Sequence, residues 1–398
     1  MKKLLIFCFV LFSVTVFAQN YQRYLVDTLS SSSFDGRGYV NQGAKRAAGF
    51  IKKQFDSLGL KPLNNSYYQT LPIRVNIFPG TMKLLVNGQF LLPGQDYLID
   101  PVSGGGKAML KAVSVNVYDK GQMKKLLNSK KYINKILIIH KPDTLSGERI
   151  GEFGALIQAL GDLWPILVLS DEKLTWSVGN IALKFPVFWV NLPGLDKIEK
   201  VEYEVEQRIV NLKTNNVMGV VKGTGNNQKY LLITAHYDHL GRMGSETYFP
   251  GANDNASGVA ELLSLAAYLS KNPLSKNLLF IAFAGEEAGL IGSKYFTNNS
   301  PIPLDSIDFV LNLDLSGTGN EGITVVNATL FPKVFDQLDS LNKKGGYVAA
   351  VKKRGPAANS DHYFFTEKNV PAFFIYTLGG IKAYHDIYDK RETLPLTE

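Results

Sequence analysis

The stretch 278-LLFIAFAGEEAGLIGS-293 decides how the chain folds. Seven of the eight residues from Leu278 to Gly285 are apolar, the pattern of a strand buried on both faces. Two acids follow at once, Glu286 and Glu287. Adjacent carboxylates repel, and burying either one without a partner is costly. A buried strand that delivers charge at its carboxyl end is the signature of an open α/β sheet, where functional groups gather beyond the strand ends.

Other segments repeat this pattern. "YLLITA" runs into His236-Tyr237-Asp238-His239, "DFVLNL" into Asp314, and "VPAFFIYTLGG" leads to His385-Asp386. From about residue 206 strands alternate with helices. After "NDNASG", Val259, Leu262, Leu263, Ala266, Ala267 and Leu269 form the apolar face of a helix ending near Asn272-Pro273. The expected fold is α/β, with a mixed, mostly parallel central sheet flanked by helices. Upstream, Ala47, Ile51, Phe55 and Leu58 recur at helical spacing before a Gly59 stop. Residues 66–205 differ in texture, with short apolar runs, a hairpin signal at Asn87-Gly88 and no cluster of metal-type residues. Its single histidine, His140, reads as structural.

The chain has five histidines, and His236, His239, His362 and His385 each lie close to an aspartate in the last part of the sequence. A metal-bound imidazole commonly donates its other nitrogen to a carboxylate or carbonyl. In "PGANDNASG", Asp254 or Asn255 could simply cap the following helix; beside an HxD and a Glu-Glu pair, Asp254 reads better as a metal carboxylate.

"HYDHLG", "PGANDNASG", "AGEEAGLIGS", "NLDLSG", "SDHYFF" and "YHDIYD", in this order, resemble the M28 family of di-zinc exopeptidases. The resemblance spans roughly 206–398 and includes the helix near 41–60. It implies that His236, Asp254, Glu287, Asp314 and His385 bind two zinc ions, with Asp254 bridging; cobalt or manganese would also suit these ligands. It further implies Glu286 as general base and Asp238 as the group that orients His236. His239, Asp361 and His362 are expected to support the site, and Asp389 to support the loop carrying His385. Substrates would be peptides with a free N-terminus. The chain departs from the family in two ways. His385-Asp386 stands where HT or HS is common. No tyrosine precedes Ser360-Asp361-His362, so Asn359, Tyr376 or a metal would have to steady the tetrahedral intermediate. The 66–205 region resembles a protease-associated domain, an insert that can cover the cleft or merely pack beside it.

The expected division is a signal peptide at 1–18, an N-terminal helical part of the peptidase at 19–65, a β-rich insert at 66–205 and the catalytic part at 206–398. The first segment has a basic start (Lys2, Lys3), an apolar core and a Val16-Phe17-Ala18 cleavage site, which points to export to the periplasm or the medium. The only cysteine, Cys8, leaves with it, so neither disulfides nor thiol chemistry is expected. No other segment is apolar enough to span a membrane. Net charge is +8, falling by two to +6 without Lys2 and Lys3. The basic residues are scattered, and the densest run, Lys120 to Lys135, lacks interleaved aromatics, which argues against nucleic-acid binding. There is no G-x-S-x-G for serine chemistry. Two other readings stay open: a one-zinc glutaminyl cyclase of the same fold, and an inactive binding protein that has kept it. Oligomeric state is not encoded visibly.

Overall fold

The computed structural model describes residues 20–194, 197–226 and 229–396; the expected signal peptide at 1–18 lies outside them. An eight-stranded central sheet carries the fold. Its order is Tyr68–Ile77, Arg208–Val221, Asn277–Phe283, Tyr230–His236, Ile307–Leu313, Ala372–Leu378, Gly322–Val326, Val351–Lys353. The four strands Asn277–Phe283, Tyr230–His236, Ile307–Leu313 and Ala372–Leu378 run mutually parallel. Antiparallel pairings flank them on both sides. The sheet is therefore mixed, with a parallel middle whose carboxyl ends share one edge.

The strand that opens the sequence argument is buried on both faces. Leu278, Phe280 and Ala282 pack into one core with Ala47, Ile51 and Phe55 of helix Gly43–Ser57 and with Val259, Leu262 and Leu263 of helix Gly258–Lys271. Leu279, Ile281 and Phe283 point the other way, to Phe296 of helix Ile291–Asn298 and Phe365 of helix His362–Glu367. Period-two alternation with helices on both sides leaves charge only beyond the strand's end.

A second eight-stranded sheet lies within residues 82–205. Met82–Val86 and Gln89–Phe90 form the expected hairpin, with Asn87 at φ 51° and Gly88 at φ 84°, the left-handed pair that a two-residue turn requires. Two findings correct the expected insert. Tyr68–Ile77 pairs with Arg208–Val217 at the edge of the central sheet, so residues just after 66 belong with the main sheet. The second sheet also contains a parallel run from Gly106–Ser114 to Val187–Val190 and two helices, Lys120–Asn128 and Glu148–Gly161. Phe153, Ile157 and Leu160 of the second helix are buried with Leu137 and Val168 of that sheet. The lobe is thus an α/β unit, because its apolar runs feed parallel strands that need covering helices.

Phe280 is fully buried, its ring 6.5 Å from that of Phe55. Phe280→Ala should lower stability by about 3–5 kcal/mol, read as a drop in the urea midpoint without a change in slope.

Candidate metal centre

The metal-type residues singled out at the strand ends converge at the carboxyl edge of the parallel strands. A cavity of roughly 200 Å³ there is lined by His236, Asp254, Glu286, Glu287, Asp314 and His385, closed by Leu315, Phe374, Tyr376 and Tyr384, with Arg354 and Asn359 at its side. A larger hollow of about 600 Å³, near Ser31, Tyr248 and Arg391, holds no histidine. Chemistry, not volume, picks the site.

His236 ends its strand, and its Nδ1 lies 3.1 Å from the backbone oxygen of Asp238. With Nδ1–H donated there, the Nε2 lone pair faces the cavity, 3.3 Å from Asp314 Oδ1 and 3.5 Å from Asp254 Oδ1. His385 mirrors it. Its Nε2 stands 3.1 Å from Asp254 Oδ2 and 3.3 Å from Glu287 Oε2. In a tetrahedral zinc shell with bonds of about 2.0–2.1 Å, two donors stand about 3.3 Å apart. All four separations match that spacing, and Asp254 offers one oxygen to each group. Asp314 Oδ1 is buried with no hydrogen-bond partner, as befits an atom reserved for a cation. The donors present fit two divalent ions.

His239 plays a different part. Its Nδ1 is 2.8 Å from Glu287 Oε1, a hydrogen-bond length, and 3.9 Å from Asp254 Oδ1. Grouped by reach alone, His236, Glu286 and Asp314 form one metal-capable cluster and His239, Asp254 and Glu287 another. The shorter His239 contact makes it the partner that orients Glu287. Glu286, in turn, has no histidine nitrogen among its ion-pair partners.

The two adjacent glutamates are driven apart electrostatically. Burial holds the Glu286 carboxyl well above the usual carboxylate range, with Glu287, Asp361 and Asp314 adding to it. Burial also acts on Glu287, but His385 and His239 outweigh it and hold that carboxyl well below the usual range. Neighbouring acids with opposed shifts mark a proton carrier and a permanent anion. Burial alone would lower both imidazoles. Asp314, Glu286 and Asp254 instead raise His236 well above the histidine range, and Glu287 and Asp254 raise His385 to about 11.

The structure adds detail to the supporting residues. The Asp238 contact to His236 Nδ1 is made by its backbone carbonyl, while its carboxylate lies 3.9 Å from that nitrogen. That carboxylate accepts the Glu286 backbone N–H at 3.1 Å and the Tyr39 hydroxyl at 3.3 Å. Asp389 accepts the backbone N–H groups of Asn253 and Asp254 at 2.8 and 2.9 Å, so it joins the segment that follows His385 to the Asp254 loop. Asn255 takes the capping role, accepting from Gly258 N at 2.9 Å. Asp361 and His362 are fully buried and do not line the cavity; burial raises Asp361 to about 7 and lowers His362 to about 4.

Three participants had no clear signal in the sequence. Ser360 Oγ donates to Asp314 Oδ2 at 3.0 Å. Tyr384 stacks on the His385 ring at 4.0 Å and lines the cavity beside Asn359 and Tyr376; its place next to His385 was the available cue. Arg37 is fully buried and donates to five backbone oxygens, those of Leu29, Tyr237, Pro250, Gly251 and Asp254. It ties the N-terminal helical region to the strand end carrying His236 and the loop carrying Asp254.

Comparisons with known proteins agree with this geometry. Residues 216–398 match the sequence profile of Peptidase family M28. Aminopeptidase YwaD of Bacillus subtilis is 27% identical over 249 residues, covering 59% of this chain and 51% of that protein. A probable zinc metalloprotease of Pyricularia oryzae is 35% identical over 115 residues, 28% of this chain and 23% of its own. The chain thus aligns with about half or less of these relatives' length. Among solved structures, a Bacillus subtilis zinc aminopeptidase superposes with TM-score 0.69 at 19% identity, covering 95% of this chain and 90% of that one. A Shewanella amazonensis M28 peptidase precursor gives 0.67 at 17% identity over 95% and 90%. The zinc-aminopeptidase fold therefore extends over both sheets.

Two predictions follow from the charges. Metal-free His236 and His385 have raised pKa values and carry protons at pH 7, whereas metal binding needs neutral imidazoles. Zinc uptake at pH 7 should therefore release protons, seen as a buffer-dependent heat in calorimetry. Arg37→Met should strand buried carbonyl oxygens and cost at least ~3 kcal/mol, measured by denaturant unfolding.

Proposed function

We propose that this chain is an exported two-metal exopeptidase that removes N-terminal residues from peptides. The observation that carries the reading is Asp254, whose two oxygens face two separate histidine–carboxylate pairs at metal-ligand spacing, while Glu286 remains unpaired beside them. The ligand set is His236, Asp254 and Asp314 for one ion, and Asp254, Glu287 and His385 for the other. Bound divalent cations supply Lewis acidity toward the scissile carbonyl and lower the pKa of a water.

The chain's own groups do the rest. Glu286 takes the proton of the attacking water and returns it to the leaving amine. Its raised pKa lets it hold that proton between the two steps. Asp238 fixes Glu286 by its backbone N–H. Tyr384, Tyr376 and Asn359 line the wall where the tyrosine expected before Ser360 is missing. The cavity, at roughly 200 Å³, is smaller than the ~300–1,000 Å³ typical of larger ligand sites, which suits one end of a peptide. The expected signal peptide supports export, and among the described residues no helix is long and apolar enough to cross a membrane.

Purified protein with zinc should cleave aminoacyl-anilides or dipeptides and lose that activity to chelator. One zinc per chain with pyroglutamate release would replace this reading with that of a cyclase. Glu286→Gln should keep both metals and lower kcat by ~10²–10⁴-fold, whereas Glu287→Gln should lose one metal. Metal analysis alongside turnover separates the two, and equal behaviour would refute the division of roles.

A further inference from the structure

Three of the five proposed ligands are held by the ends of the central sheet's strands, and a fourth by a braced loop beside them. His236 is the last residue of a strand, and Glu287 and Asp314 closely follow strands. Asp254 sits in a loop braced by Asp389 and Arg37. His385 differs. It lies seven residues beyond strand Ala372–Leu378, in an irregular loop, and its backbone is left-handed at φ 52°. A non-glycine residue there persists only where its surroundings hold it.

What holds it comes from the lobe built on the second sheet. Trp176 N–H donates to the His385 backbone oxygen at 2.9 Å, and His385 Nδ1 lies 2.9 Å from the Trp176 backbone oxygen. The first contact fixes the left-handed backbone. The second fixes the ring, presenting Nε2 to Asp254 and Glu287. Three residues earlier, Lys173 Nζ reaches Asp386 Oδ2 at 2.5 Å, the Lys382 oxygen at 2.7 Å and the Tyr384 oxygen at 3.3 Å. Asp386 is buried and also accepts the Tyr388 N–H at 2.8 Å. Trp176 is itself anchored: its indole N–H donates to the Ile99 oxygen at 2.7 Å, and its ring stacks on Phe249 at 4.7 Å.

We propose that Lys173 and Trp176 are positioning residues for His385, so that one of the two metal positions is completed by the second-sheet lobe. The inference rests on reading His385 as a metal ligand. It gives the lobe a role apart from covering the cleft: its packing sets the affinity of the His385–Glu287 position and leaves the His236–Asp314 position alone.

The test uses the full mature chain and zinc in competition with a chromophoric chelator. Lys173→Ala, and Trp176→Ala, which keeps the backbone atoms that touch His385 but removes the indole that anchors them, should each leave one zinc bound as in the wild type and weaken the other by roughly 10–100-fold, the usual effect of disturbing a ligand's supporting partner. Lys173→Arg should restore it. In a His385→Ala background, neither substitution should change zinc affinity further. Equal weakening of both positions, or of neither, would overturn the inference. Amide exchange in the metal-free chain tests the clamp without any metal. Residues 382–388 should exchange faster in both variants while 312–316 stay unchanged; unaltered exchange at 382–388 also overturns it. A wild-type protein that takes up fewer than two zinc ions contradicts the two-metal reading, and the exchange result then still decides whether the clamp exists.

Discussion

Asp254, Glu286, Glu287 and Asp314 line one small cavity, and their mutual repulsion is the constraint on which the site's construction depends. In a low-dielectric interior, like charges a few ångströms apart interact far more strongly than in water. The metal-free chain answers by loading protons onto His236, His385 and Glu286. Two dications would answer more completely, since their four positive charges match four carboxylates and release the imidazoles as neutral donors. The crowding that looks like a liability in "AGEEAG" is the driving force for metal uptake.

The proposed ligands are backed by partners that turn one atom inward. A backbone carbonyl backs His236, Ser360 backs Asp314, His239 backs Glu287, and Asp389 grips the peptide units before Asp254. Such partners matter nearly as much as the ligands because they set tautomer and angle. Arg37 extends the principle to the backbone. Its guanidinium collects carbonyls from three separate segments and places a cation behind the carboxylates without ion-pairing to any of them. That arrangement suits arginine's fixed fork of donors and its weak hydration.

The parallel middle of the sheet and the convergence of its strand ends were legible because apolar runs of seven residues admit few other readings, and because charge appears only where those runs stop. The glutamate pair, His236 and Asp314 stood out for the same reason, while Asp254 and His385 stood out by their motifs. The supporting layer was not. Backbone carbonyls have no letter in a sequence, so which Asp238 oxygen faces His236 could not be read from it. The partners of Asp389 lie more than a hundred residues away in sequence, so its contact with the Asp254 loop left no local signal. Arg37 drew no notice in the sequence, since long-range burial is decided by tertiary packing. The second lobe read as β-rich because its apolar runs are short and its helix Lys120–Asn128 buries only Leu126.

The ten-residue ribbon of Tyr68–Ile77 against Arg208–Val217 has a consequence for the order in which the molecule assembles. Its two strands are separated by the whole of residues 78–207, and closing so long a loop forfeits chain entropy before any pairing compensates. The second sheet draws all its strands from within that interval. Once formed, it brings the two ends of the interval together and turns a remote encounter into a local one. Were the lobe to form first, it would template the central sheet's edge: sequence inserted between two paired strands would shorten the kinetic distance between them.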